Sequence, residues 1–193
     1  MGQLNEIIAI DIGCGRKRRP GTIGIDQFHL PTVDIVTDLE GGLPFLRDES
    51  VDVVYCDSFL EHVDNYEGLM REIHRVCKPS ALIHVNVPHF SNPYYYSDFT
   101  HKRFFGLYTF DYMVKRDAQR MKRIVPDYYV EDFRFEIINR HIEFYSRFKV
   151  RRIFKKLMTK LVNLNRYTQE FYEENLCWMF PCYMLKFTLK PVK

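Results

Sequence analysis

Short aliphatic runs separated by turn signals occupy the first ninety positions of the chain. Ile7–Ile10, Thr22–Ile25, Asp34–Thr37, Val51–Cys56 and Ala81–Val87 are rich in Val and Ile and do not alternate with polar residues. That pattern predicts the strands of a parallel sheet covered on both faces. Between the fourth and fifth runs, Asn65–Cys77 carries Leu69, Ile73 and Val76 at helical spacing, and Lys78-Pro79 predicts its end. The first crossover, Gly15 to Thr22, has room for a turn or one helical turn, and Pro20-Gly21 narrows it further. Asp132–Phe144 then alternates like a strand, Phe148–Leu164 has helical spacing, and Met184–Leu189 reads as a closing strand. The expectation is a single α/β domain over residues 1–193, doubly wound on a mostly parallel seven-stranded sheet.

Composition narrows the class. A chain of 193 residues supports one good core, and 46% apolar with 27% charged residues is a globular balance. No apolar run approaches the ~20 residues of a membrane-spanning helix. Ile7-Ile8-Ala9-Ile10 already reads as a strand, so a secretory leader is not expected, and Glu6 stands where a Met1-Gly2 acylation signal wants Ser or Thr. Five scattered cysteines without CxxC spacing predict neither a disulfide framework nor a zinc site, and a reducing, cytoplasmic setting. Charge is lopsided: residues 1–100 hold 8 Lys/Arg against 15 Asp/Glu, residues 101–193 hold 20 against 10. The two halves are therefore expected to meet different partners.

The chemistry gathers at the strand ends. Asp11-Ile12-Gly13-Cys14-Gly15 follows the first strand, where glycines let backbone approach a ligand. Asp26 ends the second strand, placed to accept ribose hydroxyls; Asp38-Leu39 ends the third, and Cys56-Asp57 with Leu60-Glu61-His62-Val63 follows the fourth. Ligands of open α/β sheets bind beyond these carboxyl ends.

In order, these motifs over about residues 6–90 resemble the class I S-adenosylmethionine-dependent methyltransferases, the small "type 11" group above all. The resemblance implies a Rossmann-like methyltransferase fold with S-adenosyl-L-methionine as cofactor, held by residues 1–90. It implies Gly13, Cys14 and Gly15 under the methionine part, with Asp11 near its amino group. It further implies Asp26 on the ribose, Asp38 and Leu39 at the adenine, and a contact from Cys56 or Asp57. Sulfonium, ribose diol and adenine amine all favour carboxylate acceptors, and this half is acidic. Lys17 stands where the family's GxGxG has its third glycine, and the Gly13-to-Asp26 span is short. Arg18 at the last position of a G-x-G-x-x-G also counts against a nicotinamide dehydrogenase.

Residues 91–193 are expected to supply the substrate side. From Phe90 to Tyr112 ten of 23 residues are aromatic, read as a lid over the methyl group or as rings closing the core. Asp98-Phe99-Thr100-His101-Lys102-Arg103-Phe104-Phe105 resembles a D-x-T-H-x-R-x-F stretch of small bacterial methyltransferases from glycan and cell-envelope gene clusters. His101 is the candidate general base for an acceptor hydroxyl, Asp98 its orienting carboxylate and His62 a second candidate; His89 is equally a structural residue. No metal site is expected. The predicted reaction is in-line O-methylation of a small-molecule or glycan-like acceptor. A non-catalytic cofactor-binding subunit and an RNA methyltransferase are the alternatives. The N-P-P-[YF] tetrapeptide is absent, and Asn92-Pro93-Tyr94-Tyr95 follows the fifth strand instead of the fourth.

Helix 148–164 carries Val150, Ile153, Phe154, Leu157, Leu161 and Leu164 on one stripe, with Lys and Arg largely off it. Packing on the sheet is the default reading. Peripheral contact with an anionic membrane at its inner face comes next and suits a lipid-linked acceptor. Nucleic acid ranks last, since no recognised RNA-binding module accompanies the cations.

Overall fold

The computed structural model describes residues 7–193, so the Met1-Gly2 and Glu6 readings lie outside it. One sheet organises these residues. Its strands are β1 (Ala9–Ile12), β2 (Ile23–Asp26), β3 (Ile35–Val36), β4 (Val51–Asp57), β5 (Cys77–Pro88), β6 (Arg134–Glu143) and β7 (Met184–Val192). The helices are α1 (Tyr66–Val76), α2 (Lys149–Val162) and α3 (Arg166–Asn175). The strand order is β3-β2-β1-β4-β5-β7-β6. β7 runs antiparallel to both its neighbours, and every other pairing is parallel. Strand order changes direction between β1 and β4, which is the switch point where ligands bind in such sheets.

One face of the sheet carries the core. Ile10 pairs with Val54 and Val54 with Ile83; Ile12 pairs with Cys56 and Cys56 with Val85. Ile83 and Val85 continue the rows to Leu189 and Phe187, and all eight side chains are buried. Leu69, Met70, Ile73 and Val76 of α1 pack into the same cluster, as do Phe105, Phe110 and Phe133 from the long irregular run before β6. Asn65 caps α1 by accepting from the Gly68 amide at 3.3 Å.

The other face departs from the expected double cover. No α-helix forms among residues 13–50, because the crossovers there are short and punctuated by Pro20-Gly21, Pro31 and Gly41-Gly42. Tyr55 and His84 on that face are half-buried and stack on each other at 5.1 Å. One boundary shifts and one helix is added. β5 begins at Cys77, directly after α1, because a register break between Val51 and Val53 accommodates Lys78-Pro79. α3 was not evident in the pattern of apolar residues.

The segment around Asp111 is fixed to the outer strand β6 by a buried ion pair. The Arg140 guanidinium donates to both Asp111 carboxylate oxygens at 2.6 Å, and their side chains are 8% and 1% exposed. Beside it, a cavity of about 650 Å³ opens between β6, residues 111–120 and the start of α3, away from the glycine turn.

Candidate active site

The turn after β1 is held by backbone and carboxylate contacts. Gly13 has φ +66°, and a Cβ there would collide with the Phe59 ring, so glycine is required at this position. Gly15 has φ +49°, and a Cβ there would meet nothing within 4 Å; its open side is free for a ligand. The Gly13 amide donates to the Ile25 carbonyl at 2.8 Å, and the Thr32 hydroxyl donates to the Gly15 carbonyl. Together they draw the turn onto the end of β2.

Asp26 stands there with its carboxylate organised. Oδ2 accepts from the Gly15 amide at 2.9 Å and Oδ1 from the Phe28 amide at 3.0 Å. Each oxygen keeps a further lone pair for a diol. Asp11 is 2% exposed and accepts from the Arg19 amide at 2.8 Å; burial first, then the Asp57 charge, raises its pKa. Asp57 accepts from the Arg19 guanidinium at 2.6 Å and from the Asn86 amide.

Arg19 was hidden in the sequence inside Arg16-Lys17-Arg18-Arg19. The helix-free crossover folds it back across the open sheet face, its guanidinium 4.4 Å above the Tyr55 ring. A helix N-terminus ordinarily supplies the positive end to an anionic ligand here. In this chain no helix begins there, and the Arg19 guanidinium lies over the strand ends, paired with Asp57.

Other strand-end residues divide. Asp38 is exposed and caps a 3-10 turn through the Glu40 amide at 3.0 Å, while the Leu39 side chain is 3% exposed within the core. The Cys56 side chain is fully buried, so only its backbone faces the edge. Cys14 is buried, its thiol pushed up to about 11 chiefly by burial and then by Asp11.

The histidines do converge. His62, in the 3-10 turn Leu60–His62, and His101, in the loop after β5, have ring centroids 4.8 Å apart. His101 Nδ1 lies 3.0 Å from the Tyr95 carbonyl, which accepts only if that nitrogen carries the proton. His62 Nδ1 lies 2.9 Å from the Thr100 hydroxyl, which itself donates to Asp98 Oδ1 at 2.6 Å. The same reasoning protonates His62 Nδ1, leaving both Nε2 atoms with free lone pairs. Asp98 reaches His62 through Thr100 and lies 3.6 Å from His101 Nε2. Burial lowers the His62 pKa, and the two bonds from Thr100 lower that of Asp98. His89, fully buried and bonded to Ser91 and Glu173, is built into the core.

Glu61 was not singled out as a site residue. It is 1% exposed, Oε2 has no partner, and burial pushes its carboxyl up to about 8. Glu61, His62 and His101 each bring one donor atom within 4.8 Å of the others, compact enough to hold a divalent cation. Because the folded value exceeds the ordinary 4.5, the folded state binds more protons than the unfolded one between those values. Stability is therefore expected to be full below the lower value and to fall as pH rises towards the upper, by up to about 1.4 kcal/mol per unit. Thermal melting across that window reads the slope; Glu61→Gln should flatten it, and an unchanged slope would refute the assignment.

The aromatic segment splits. Tyr95, Phe105 and Phe110 are buried in the core, whereas Tyr94, Tyr96, Phe99 and Phe104 are exposed, Phe99 by 97%. The exposed rings face solvent instead of an enclosed chamber.

Comparison with known proteins agrees with the fold. Residues 16–85 match the family model described as a methyltransferase domain. Among solved structures, a SAM-dependent methyltransferase from Archaeoglobus fulgidus is similar over 96% of this chain and 86% of its own, with TM-score 0.55 and 17% identity. The YcgJ protein from Bacillus subtilis is similar over 97% and 92%, with TM-score 0.54 and 14% identity. The 1,6-didemethyltoxoflavin-N1-methyltransferase of Burkholderia thailandensis, solved with S-adenosylhomocysteine, is similar over 96% and 71%, with TM-score 0.52 and 12% identity. No curated protein matches the sequence.

Proposed function

We propose that this chain, a class I S-adenosylmethionine-dependent methyltransferase, methylates a hydroxyl of a small-molecule or glycan-like acceptor. The observation that carries the acceptor chemistry is the His62–His101 pair with both Nδ1 protons committed and both Nε2 lone pairs free. A hydroxyl attacking a methyl carbon must lose its proton, and a neutral imidazole near physiological pH accepts it. Buried Tyr95 packs on His101, and the exposed ring of Phe104, stacked on Tyr95 at 4.8 Å, offers a face on which a sugar stacks.

The cofactor is S-adenosylmethionine, which supplies an electrophilic methyl group on its sulfonium. The glycine turn leaves its open side at Gly15 for the methionine end, Asp11 accepts from the amino group, and Arg19 provides the countercharge to the carboxylate. Asp26 accepts from the ribose hydroxyls. Asp57 holds Arg19 in place, and the Asp38-Leu39 turn borders the adenine. The residues of the chain thus position cofactor and acceptor in line, where much of the rate originates.

Calorimetric titration with S-adenosylmethionine and S-adenosylhomocysteine tests the cofactor assignments. Micromolar binding is expected, and Asp26→Ala should weaken it by about 1–3 kcal/mol, roughly 5- to 150-fold. Unchanged affinity in the folded variant would remove Asp26 from the ribose. A screen of sugar hydroxyls against amine acceptors then tests the acceptor class, and turnover confined to amines would overturn it.

A second reading rests on the unpartnered Glu61 oxygen. With His62 and His101 it forms a two-His, one-carboxylate set that suits a borderline divalent ion, which would acidify the acceptor hydroxyl directly. Turnover that survives a chelator selects the base; turnover lost to chelation and restored by Zn²⁺ or Mn²⁺ selects the ion.

A further inference from the structure

α2 was expected to lay its apolar stripe on the sheet, and it does the reverse. Its contact with the body runs through buried Val162 and half-buried Met158 and Thr159. The stripe Val150, Ile153, Phe154, Leu157 and Leu161 is 88, 78, 45, 52 and 48% exposed. At 100° per residue these five fall within an arc of about 100°, turned well away from the Met158–Val162 side. Phe148, just before the helix, and Leu164, just after it, are also about two-thirds exposed (66% and 68%).

Charge frames the stripe with a single sign. Residues 145–168 contain eight Lys or Arg and no Asp or Glu, and Lys149, Lys156 and Lys160 flank the apolar arc on one edge. The neighbouring loop adds Trp178 and Met179, each 69% exposed. That loop is tied to α2 by the Lys155 ammonium, which donates to the Pro181 carbonyl at 2.9 Å, and by Phe154 against Phe180 at 5.8 Å. At the other end Arg147 lies 5.4 Å from the Tyr94 ring, so the face borders the segment that carries His101.

We propose that this face docks on an anionic phospholipid surface, with α2 in the plane of the interface. The apolar arc then enters the boundary of the acyl chains while the flanking cations meet phosphate headgroups. The other occupants satisfy only half of the surface. A second copy meeting it about a two-fold axis would bring eight cations against eight. A nucleic acid would neutralise the cations and leave the arc in water. The docking would present membrane-borne acceptors to the His101 side, yet it stands independently of which acceptor is used.

Vesicle flotation of the full chain tests the proposal, using vesicles of equal parts phosphatidylcholine and phosphatidylglycerol against phosphatidylcholine alone. Flotation with the anionic vesicles only is expected, weakening as salt rises from low to about 0.15 M. The exposed pairs Ile153→Glu/Leu157→Glu and Arg152→Glu/Lys156→Glu should each lower partitioning by about ten-fold or more. S-adenosylmethionine affinity in both variants should equal that of the wild type, which separates failure of this proposal from failure of the cofactor assignment. No flotation at either salt, or flotation indifferent to Ile153→Glu/Leu157→Glu, would overturn it. So would a wild-type dimer that the same variant dissociates, or retention on single-stranded RNA without retention on vesicles.

Discussion

His101→Asn is expected to lower turnover by about 10²- to 10⁴-fold while S-adenosylmethionine binds as before. Asparagine keeps a donor for the Tyr95 carbonyl, which now accepts from His101 Nδ1 at 3.0 Å, so the loop retains its anchor. What it removes is the Nε2 lone pair. His62→Asn, on the other ring of the pair, should cost less, since burial lowers the His62 pKa and makes that ring a weaker base. Single-turnover rates with calorimetric cofactor affinities separate the two effects. Full turnover by His101→Asn would remove it as the base and leave His62, held by Thr100 and Asp98, as the candidate.

Arg140→Ala should destabilise the fold by about 3–5 kcal/mol, the largest loss expected from any one substitution outside the apolar core. It would strand the Asp111 carboxylate at 1% exposure, and burial already raises that group's pKa in the presence of the guanidinium. Replacing both partners tells a different story. Asp111→Leu/Arg140→Met removes the two desolvation penalties together and should be far less harmful than either single change. Urea melts of the two singles and the double close the cycle. If Arg140→Ala melts like the wild type, the ion pair does not fix residues 109–113 to β6.

The sheet was legible because β-branched runs bounded by turn residues leave few other options. All seven strands fall on or within a few residues of such runs, and Lys78-Pro79 concealed the start of β5. α3 was illegible for a physical reason: its inward face is largely polar. Gln169 donates to the Arg140 carbonyl at 2.9 Å, and Glu170 accepts from the Tyr108 hydroxyl at 2.6 Å. Both are buried, so hydrophobic periodicity misses the helix; the Asn165–Thr168 capping box was its only signal. Arg19 and Glu61 escaped similarly, since a basic run and a charged strand-end residue look solvated until the chain folds. The stripe of α2 was visible, but its direction was not, because periodicity is the same whether a face meets the sheet or the solvent.

The helix-free crossovers also bear on the order in which the sheet assembles. Ile10 pairs with Ile23 and Ile25 with Ile35, closing loops of 13 and 10 residues, whereas Ile83 pairs with Leu189 across 106. Loop closure costs about 0.6 kcal/mol for each doubling of length, so the long pairing starts roughly 2 kcal/mol behind the first. β1, β2 and β3 therefore form a cheap local nucleus on entropic grounds, and β7 slots between β5 and β6 late. The glycine turn and Asp26 belong to the short-loop part, whereas α2 is fastened to the end of β6, on the far side of the long pairing.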